Sequence, residues 1–197
     1  DVDIIVTADS TEHHDALERH PLLHEPLLLV TARNLLDEEG DIRQQLLAAP
    51  FIRYSTDLPL GRLIEAQLTR VRLLPERGQE FESSRSIFAM VQKTNGWALT
   101  TPVCLLDSTY FLDHLDVYRP PFANTGRNIS MWARKEELAD LPSRLAALSR
   151  RIIETEIVSV GRSRFRWLRE SFKVLAPDDA FDDTLEFATP DENSQMK

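Results

Sequence analysis

The amino-acid sequence predicts an α/β protein with mainly parallel strands. Short aliphatic and β-branched runs, typical of buried strands, alternate along the chain with segments whose apolar residues recur at helical spacing. Such alternation is the pattern of a sheet covered by helices. The 197 residues, 42% hydrophobic and 28% charged, are enough to bury a sizeable core.

The strands are predicted from their apolar runs. Residues 2–6 form a β-branched run between polar residues and are expected to be the first strand. The polar residues 7–26 are expected to form a loop or a short helical turn. Further strands are predicted at residues 27–30, 50–54, 97–102 and 129–133.

The helices are predicted from apolar spacing. A weak stripe lies within residues 35–48, and a stronger one begins near Pro59. The next helix ends near Asn95 and Gly96, residue types that suit a helix stop with positive φ. Residues 138–153 describe a long amphipathic helix, and residues 162–175 carry a second helical pattern.

Charge and cysteine content exclude some functions. The net charge is −9, with 32 acidic against 23 basic residues, which argues against broad nucleic-acid contact by this segment. The single cysteine, Cys104, excludes an internal disulfide and a four-cysteine zinc site, and it fits a reducing compartment. Cys104 lies in an apolar run and is expected to be a small buried hydrophobe instead of a nucleophile.

Other polar clusters are interpreted as solvated surfaces. The spacing of the histidines matches no metal motif, so they are expected to be solvated loop residues: His13, His14, His20 and His24. The Asp178-Asp179 and Asp182-Asp183 pairs lack the turn glycine of a calcium loop. Four arginines interleave with Phe165 and Trp167, and they are expected to face water or an acidic partner: Arg162, Arg164, Arg166 and Arg169.

Several weak motifs stand in a characteristic order. Residues 1–6 read DVDIIV, residues 21–30 read PLLHEPLLLV, and residues 50–61 read PFIRYSTDLPLG. Residues 91–102 then read VQKTNGWALTTP. This order resembles the effector-binding part of LysR-type transcriptional regulators. Thr94 stands where the family usually has a glycine, which is a departure at that turn.

The resemblance implies a fold like that of type 2 periplasmic binding proteins, in which two α/β lobes are joined by two crossing strands. It assigns residues 27–133 to the second lobe, and residues 1–26 and 134–175 to a first lobe truncated at its N-terminal side. Residues 176–197 are expected to be a mobile acidic tail. The truncation predicts exposed apolar surface on the first lobe.

The resemblance also implies a function. A small-molecule effector, such as an organic acid, would bind between the lobes and modulate a DNA-bound oligomer, a dimer or tetramer. DNA would be contacted only through a winged helix-turn-helix absent from this sequence. The protein would be cytoplasmic, without cofactor, metal, membrane contact or catalytic residues.

Three alternatives remain open from the sequence. The first is a solute-binding protein of a transport system with the same fold. The second is an enzyme, which would need a catalytic acid, base or nucleophile in the cleft. The third is an interaction-only remnant whose cleft is filled by large side chains such as Trp97.

Candidate ligand-binding residues lie at strand ends and at the starts of helices, where free N–H groups and hydroxyls can bind small anions. The full predicted set is Thr7, Ser55, Thr56, Pro59, Ser83, Ser84, Thr100 and Thr101. For Ser55 and Thr56, capping of the following helix is the alternative role.

Overall fold

The computed structural model describes residues 3–8, 15–37, 39–123 and 125–179, and the chain divides into two compact units. Unit 1 contains the described residues up to Pro26 and from Gly126 onward, and unit 2 contains those from Leu27 to Thr125. The strands are β1 (Ile4–Thr7), β2 (Leu17–Pro26), β3 (Leu28–Ala32), β4 (Arg53–Tyr54), β5 (Glu80–Phe81), β6 (Trp97–Thr100), β7 (Leu115–Tyr118), β8 (Gly126–Arg134) and β9 (Lys173–Val174). The helices are α1 (Ile42–Ala48), α2 (Pro59–Arg70), α3 (Ser84–Thr94), α4 (Pro102–Leu106), α5 (Leu141–Ile152) and α6 (Ser159–Arg164).

Unit 1 is built on an antiparallel sheet with the strand order β1-β8-β2-β9. The long strands β2 and β8 pair from Leu17↔Arg134 to Pro26↔Gly126, with an irregularity between Pro21 and Leu23. The expectation of mainly parallel strands is therefore wrong for this unit. The longest strands of the unit, β2 and β8, hydrogen-bond directly to each other in opposite directions, whereas the prediction placed a helix between each pair of neighbouring strands.

Two sequence assignments change because of β2 and β8. Residues 17–26, predicted as a loop or helical turn, form a strand in which Glu25 is fully buried and the other polar side chains are half-buried. Residues 126–133, predicted in the second lobe, pair with β1 and β2 and so lie in unit 1.

The helices of unit 1 form one continuous run. The predicted helix at 138–153 appears as α5, which continues through a π-helical segment, Ile153–Val158, into α6. The predicted helix at 162–175 is shorter than expected. It ends at Arg164 and is followed by a 3-10 turn and by β9, which pairs with Leu23 and His24 of β2.

Unit 2 contains a sheet in which β3 is antiparallel to the strand on either side of it. Strands β6 and β7 are both antiparallel to β3, whereas β4 and β5 pair in parallel. A parallel bridge between Phe51 and Trp97 connects the β4 segment to β6. Strands β4, β5 and β6 therefore run in the same direction, as the alternation of strands and helices predicted.

The core of unit 2 lies between this sheet and its helices. Trp97 is fully buried, donates its indole N–H to Leu46 O at 2.8 Å, and packs against Phe51 with ring centroids 4.4 Å apart. It is thus a core residue of unit 2. Ile87, Phe88 and Val91 bury the inner face of α3.

The end of α3 is the stop that the sequence predicted. Asn95 is the C-cap with φ of 52°, and Gly96 N–H donates to Val91 O at 2.9 Å. Asn95 takes the left-handed conformation, whereas no described glycine has positive φ.

Unit 1 exposes several large apolar side chains. They occur on β1 and along the α5–α6 run: Ile5, Val6, Leu141, Leu148, Ile152 and Val160. Soluble proteins rarely leave contiguous apolar surface uncovered.

Candidate functional site

The carboxyl ends of three strands meet at one edge of the unit 2 sheet. Strands β4, β5 and β6 run in the same direction, and each is followed by a helix. Ligand sites of α/β sheets lie outside the carboxyl ends of such strands. Ser55, Ser83 and Thr101 directly follow or closely follow these strands, so this edge is the candidate site.

Tyr54, at the end of β4, organises the hydroxyls at this edge. Its hydroxyl donates to Ser84 Oγ at 3.0 Å and lies 3.0 Å from Thr100 Oγ1. Tyr54 is buried, and this burial, reinforced by the nearby Cys104 thiol, raises the pKa of its phenol above the ordinary value. The side chain is therefore a neutral link between β4, the start of α3 and the end of β6.

Thr101 carries a hydroxyl that the described structure leaves without a hydrogen-bond partner. Its Oγ1 is buried, and Thr101 precedes α4 without capping it through its side chain. The Ser108 hydroxyl is also buried and has no hydrogen-bond partner within the described residues. A buried unpaired hydroxyl costs free energy, so a ligand that accepts or donates a hydrogen bond there is favoured.

The helices α2 and α3 begin with no side-chain cap. The N-cap of α2 is Leu58 and that of α3 is Ser83, and neither side chain bonds a first-turn N–H. The alternative role of Ser55 or Thr56 as a side-chain cap of α2 is therefore not realised, because Ser55 Oγ accepts from the Asp57 N–H at 3.2 Å. The free N–H groups of the first turn remain available to an anion.

Gly61 brings the start of α2 against the end of β4. An added Cβ at this position would lie 2.0 Å from Ser55 O and 3.0 Å from Tyr54 O. Any side chain there would push the first turn of α2 away from Ser55. The glycine of the PLG motif thus has a packing role at the candidate site.

The predicted site residues divide between the two units. Thr7 ends β1 and pairs with Ser130 in unit 1. The seven others lie in unit 2, where Ser84 and Thr100 are joined through Tyr54, while Thr56 and Ser83 are exposed. Sequence reasoning missed Tyr54, because an aromatic residue at the end of an apolar strand is ordinarily a core residue.

The remaining polar candidates also have defined surroundings. Cys104 is half-buried in α4, so it is less enclosed than predicted. His20 and His24 lie in β2 and not in a loop. His24 Nδ1 is 2.7 Å from Asn128 Oδ1, and His20 Nε2 is 3.5 Å from Glu18. His13, His14 and the acidic residues beyond 179 lie outside the described residues.

Arg162, the first of the four interleaved arginines, is bonded within unit 1. Its Nε donates to Phe172 O at 2.9 Å and its Nη1 lies 3.3 Å from Glu154. It therefore holds the end of unit 1 together, whereas the prediction placed it toward water or a partner.

No group of metal-ligating side chains is found within residues 3–8, 15–37, 39–123 and 125–179. Across that same part of the chain, no helix has the length and apolar character that crossing a membrane requires.

Three solved structures have a fold similar to that of this chain. A hydrogen-peroxide-bound OxyR variant from Corynebacterium glutamicum aligns with a TM-score of 0.66 and 16% identity, covering 83% of this chain and 52% of its own. The regulatory domain of MetR, a LysR family regulator from N. meningitidis, aligns at 0.61 and 13%, covering 88% and 75%. The effector binding domain of QuiR in complex with shikimate aligns at 0.59 and 17%, covering 79% and 73%.

These likenesses show the fold, and the chain spans about half the length of the OxyR structure. No curated protein matched the sequence. The model of the LysR substrate binding domain matches residues 1–148, three-quarters of the chain. The chain therefore belongs to the LysR substrate binding domain family.

Proposed function

We propose that this chain is the effector-sensing part of a LysR-type transcriptional regulator, and that it binds a small organic acid at the hydroxyl-lined edge of unit 2. The observation that carries this proposal is the buried, unpartnered hydroxyl of Thr101 beside the Tyr54–Ser84–Thr100 group. Family membership supports the sensing role.

The ligand class follows from the chemistry of the edge. Hydroxyls orient a polar ligand without reacting with it, and first-turn N–H groups favour a negative group such as a carboxylate. QuiR binds shikimate, a hydroxylated carboxylic acid, on a similar fold. The complete proposed set is Thr7, Ser55, Thr56, Pro59, Ser83, Ser84, Thr100 and Thr101, with Tyr54 as the organising residue.

Thermal-shift screening of the chain against small carboxylates, including shikimate, tests the proposal. An effector should raise the melting temperature by mass action, by an amount that grows with its concentration. Thr101→Val keeps the side-chain shape but removes the unpaired hydroxyl. It should keep or raise the melting temperature of the free chain and weaken the response to the effector.

Thr109→Val is the matched control, because Thr109 is exposed in a 3-10 turn and is not one of the proposed site residues. It should leave both the stability and the effector response unchanged. No shift with any carboxylate of the panel, or an identical response in Thr101→Val, would contradict the proposal.

The wider arrangement is also part of the proposal. Units 1 and 2 would correspond to the two lobes that the family resemblance implies. Effector binding would shift the conformational equilibrium of a cytoplasmic homodimer or tetramer. That oligomer would contact DNA through a separate helix-turn-helix. Size-exclusion chromatography with light scattering on the full-length regulator tests the oligomer.

The alternative of a transport solute-binding protein is not favoured, because the matching family and the similar structures belong to transcriptional regulators. Proteins of this family are generally not enzymes, and we propose no catalytic role. No cofactor is proposed.

A further inference from the structure

A cavity lies at the opposite end of β4 from the Tyr54–Ser84–Thr100 group. Its volume is about 510 Å³, within the usual range for small-ligand sites, and it lies wholly inside unit 2. Residues 47–52 and 76–79 form two of its walls, and Met90 and Thr94 of α3 form the third. Residues 47–52 precede β4, whereas Ser55 follows it, so this cavity and the proposed effector site are separate.

The apolar part of the cavity suits a branched or linear aliphatic group. Leu47 keeps 40% of its surface exposed although the adjacent Ile52 is buried. Met90 is half-buried and can adapt its shape to a bound group. An apolar side chain placed here would cover Leu47 and Met90.

The main chain of Phe51 supplies a donor and an acceptor on one side of the strand. Trp97 N–H donates to Pro50 O, and Ile52 N–H donates to Trp97 O, each at 2.9 Å. Successive residues of an extended chain direct their N–H and C=O groups to opposite sides, so those of Phe51 face away from Trp97. Within the described residues neither group of Phe51 makes a hydrogen bond.

Gly78 marks where this carbonyl lies. A Cβ added to Gly78 would be 3.2 Å from Phe51 O, which places that carbonyl beside the 76–79 wall of the cavity. The parallel pairing of β4 with β5 stops at Arg53↔Glu80 and does not continue to Phe51. A buried residue with an unpaired amide edge is rare, and a ligand amide would satisfy it.

The same wall carries charged groups. Arg77 is exposed and has no ion-pair partner within the described part of the chain. A guanidinium binds a carboxylate through two parallel hydrogen bonds. The neighbouring Glu76 carboxylate also lines the cavity and opposes an anion there.

We propose that this cavity binds an amide followed by an apolar side chain and a free carboxylate. The amide would pair with the main chain of Phe51, the side chain would cover Leu47 and Met90, and the carboxylate would bind Arg77. Two sources share this chemistry: a free N-acylated amino acid and the carboxy-terminal residue of a peptide.

Calorimetric titration of the chain with N-acetyl-L-leucine tests the site. Arg77→Gln should weaken binding about ten-fold, because a charge-assisted hydrogen bond is lost. Glu76→Gln should strengthen binding a few-fold, because a repelling charge is removed. Arg85→Gln is the matched control: Arg85 is exposed on α3 and does not line the cavity, so binding should not change.

Three further titrations test the parts of the proposed site separately. N-acetyl-L-leucinamide, which lacks the carboxylate, should bind the unmodified chain as weakly as N-acetyl-L-leucine binds Arg77→Gln. Met90→Trp should block binding by filling the cavity, and its melting temperature checks that it folds. Thr101→Val should bind N-acetyl-L-leucine normally, which separates this site from the proposed effector site.

A peptide ending in Ala-Leu distinguishes the two sources. Tighter binding of the peptide than of N-acetyl-L-leucine indicates a peptide terminus, and equal or weaker binding indicates a free acyl amino acid. The proposal is overturned if neither probe binds at millimolar concentration. It is also overturned if Arg77→Gln and Met90→Trp bind the probes as tightly as the unmodified chain does.

Discussion

The phenol of Tyr54 joins residues that are distant in the sequence. Its bonds to Ser84 and Thr100 span 30 and 46 positions and tie together three elements of unit 2. Tyr54→Phe should destabilise the chain by about 1–3 kcal/mol, because one hydroxyl is lost and the buried Thr100 hydroxyl is left unsatisfied. Urea denaturation measures this change.

Tyr110→Phe is the control for that substitution. Tyr110 is 75% exposed in the 3-10 turn of unit 2, so its hydroxyl is free to bond water. This variant should unfold at the same urea concentration as the unmodified chain. An equal loss of stability in Tyr54→Phe and Tyr110→Phe would contradict the proposed organising role of Tyr54.

The raised pKa of Tyr54 also predicts how stability depends on pH. Burial keeps the phenol neutral in the folded chain, whereas in the unfolded chain tyrosine ionises with a pKa of about 10. The unfolded state then releases its proton first as pH rises. The free energy of unfolding should therefore be insensitive to this group below about pH 10 and should fall above it.

Urea midpoints measured from pH 8 to 11 test this dependence. The decline above pH 10 should be shallower in Tyr54→Phe than in the unmodified chain. Identical pH profiles for the two proteins would show that the burial of this phenol is not linked to stability.

At the scale of elements, β2 and β8 share a buried ion pair. Glu25 is fully buried, and its Oε1 lies 2.8 Å from Arg127 Nε and 2.7 Å from Arg127 Nη2. Arg127→Met should destabilise unit 1 by about 3–5 kcal/mol, because the Glu25 carboxylate would lose its charged partner. The difference is measured by denaturation monitored by circular dichroism.

Arg144→Met makes the same change on an exposed pair. Arg144 and Asp140 are 3.8 Å apart and each is 75% exposed. Water and salt screen such pairs, so little change in stability is expected. A similar loss of stability in Arg127→Met and Arg144→Met would contradict the prediction that the buried ion pair matters more than the exposed one.

The end of α3 provides a second prediction about an element. Asn95 holds a left-handed conformation that costs most side chains about 1 kcal/mol or more. Asn95→Ala should therefore lower stability by about that amount, and Asn95→Gly should not. Thermal melts of the two variants test this prediction. A lower melting temperature for Asn95→Gly than for Asn95→Ala would contradict it.

At the scale of the whole molecule, the exposed apolar residues of unit 1 should bind hydrophobic dyes. Leu148 and Ile152 are 51% and 50% exposed and lie one helical turn apart on α5. The double change Leu148→Lys with Ile152→Lys should lower the fluorescence of bound anilinonaphthalene sulfonate, because their apolar surface is removed. Leu74→Lys, at an exposed position in unit 2, should change it less.

Features that depend on local patterns could be predicted from the residues alone. Apolar periodicity predicted the α/β class and the start of α2, because burial of one helix face requires that spacing. The residue types of Asn95 and Gly96 predicted the end of α3. The order of short motifs was enough to indicate the LysR family. Residue types at strand ends indicated Ser84, Thr100 and Thr101 as candidate ligand groups.

The pairing of distant segments could not be predicted from local patterns and is known from the folded structure. The polar composition of residues 17–26 concealed β2, whose partner strand lies about a hundred residues away. The link from Tyr54 to Ser84 and Thr100, and the burial of Glu25 beside Arg127, likewise depend on side chains brought together by folding. Periodicity reports which face of a segment is buried, but pairing between segments is set by the packing of the whole unit.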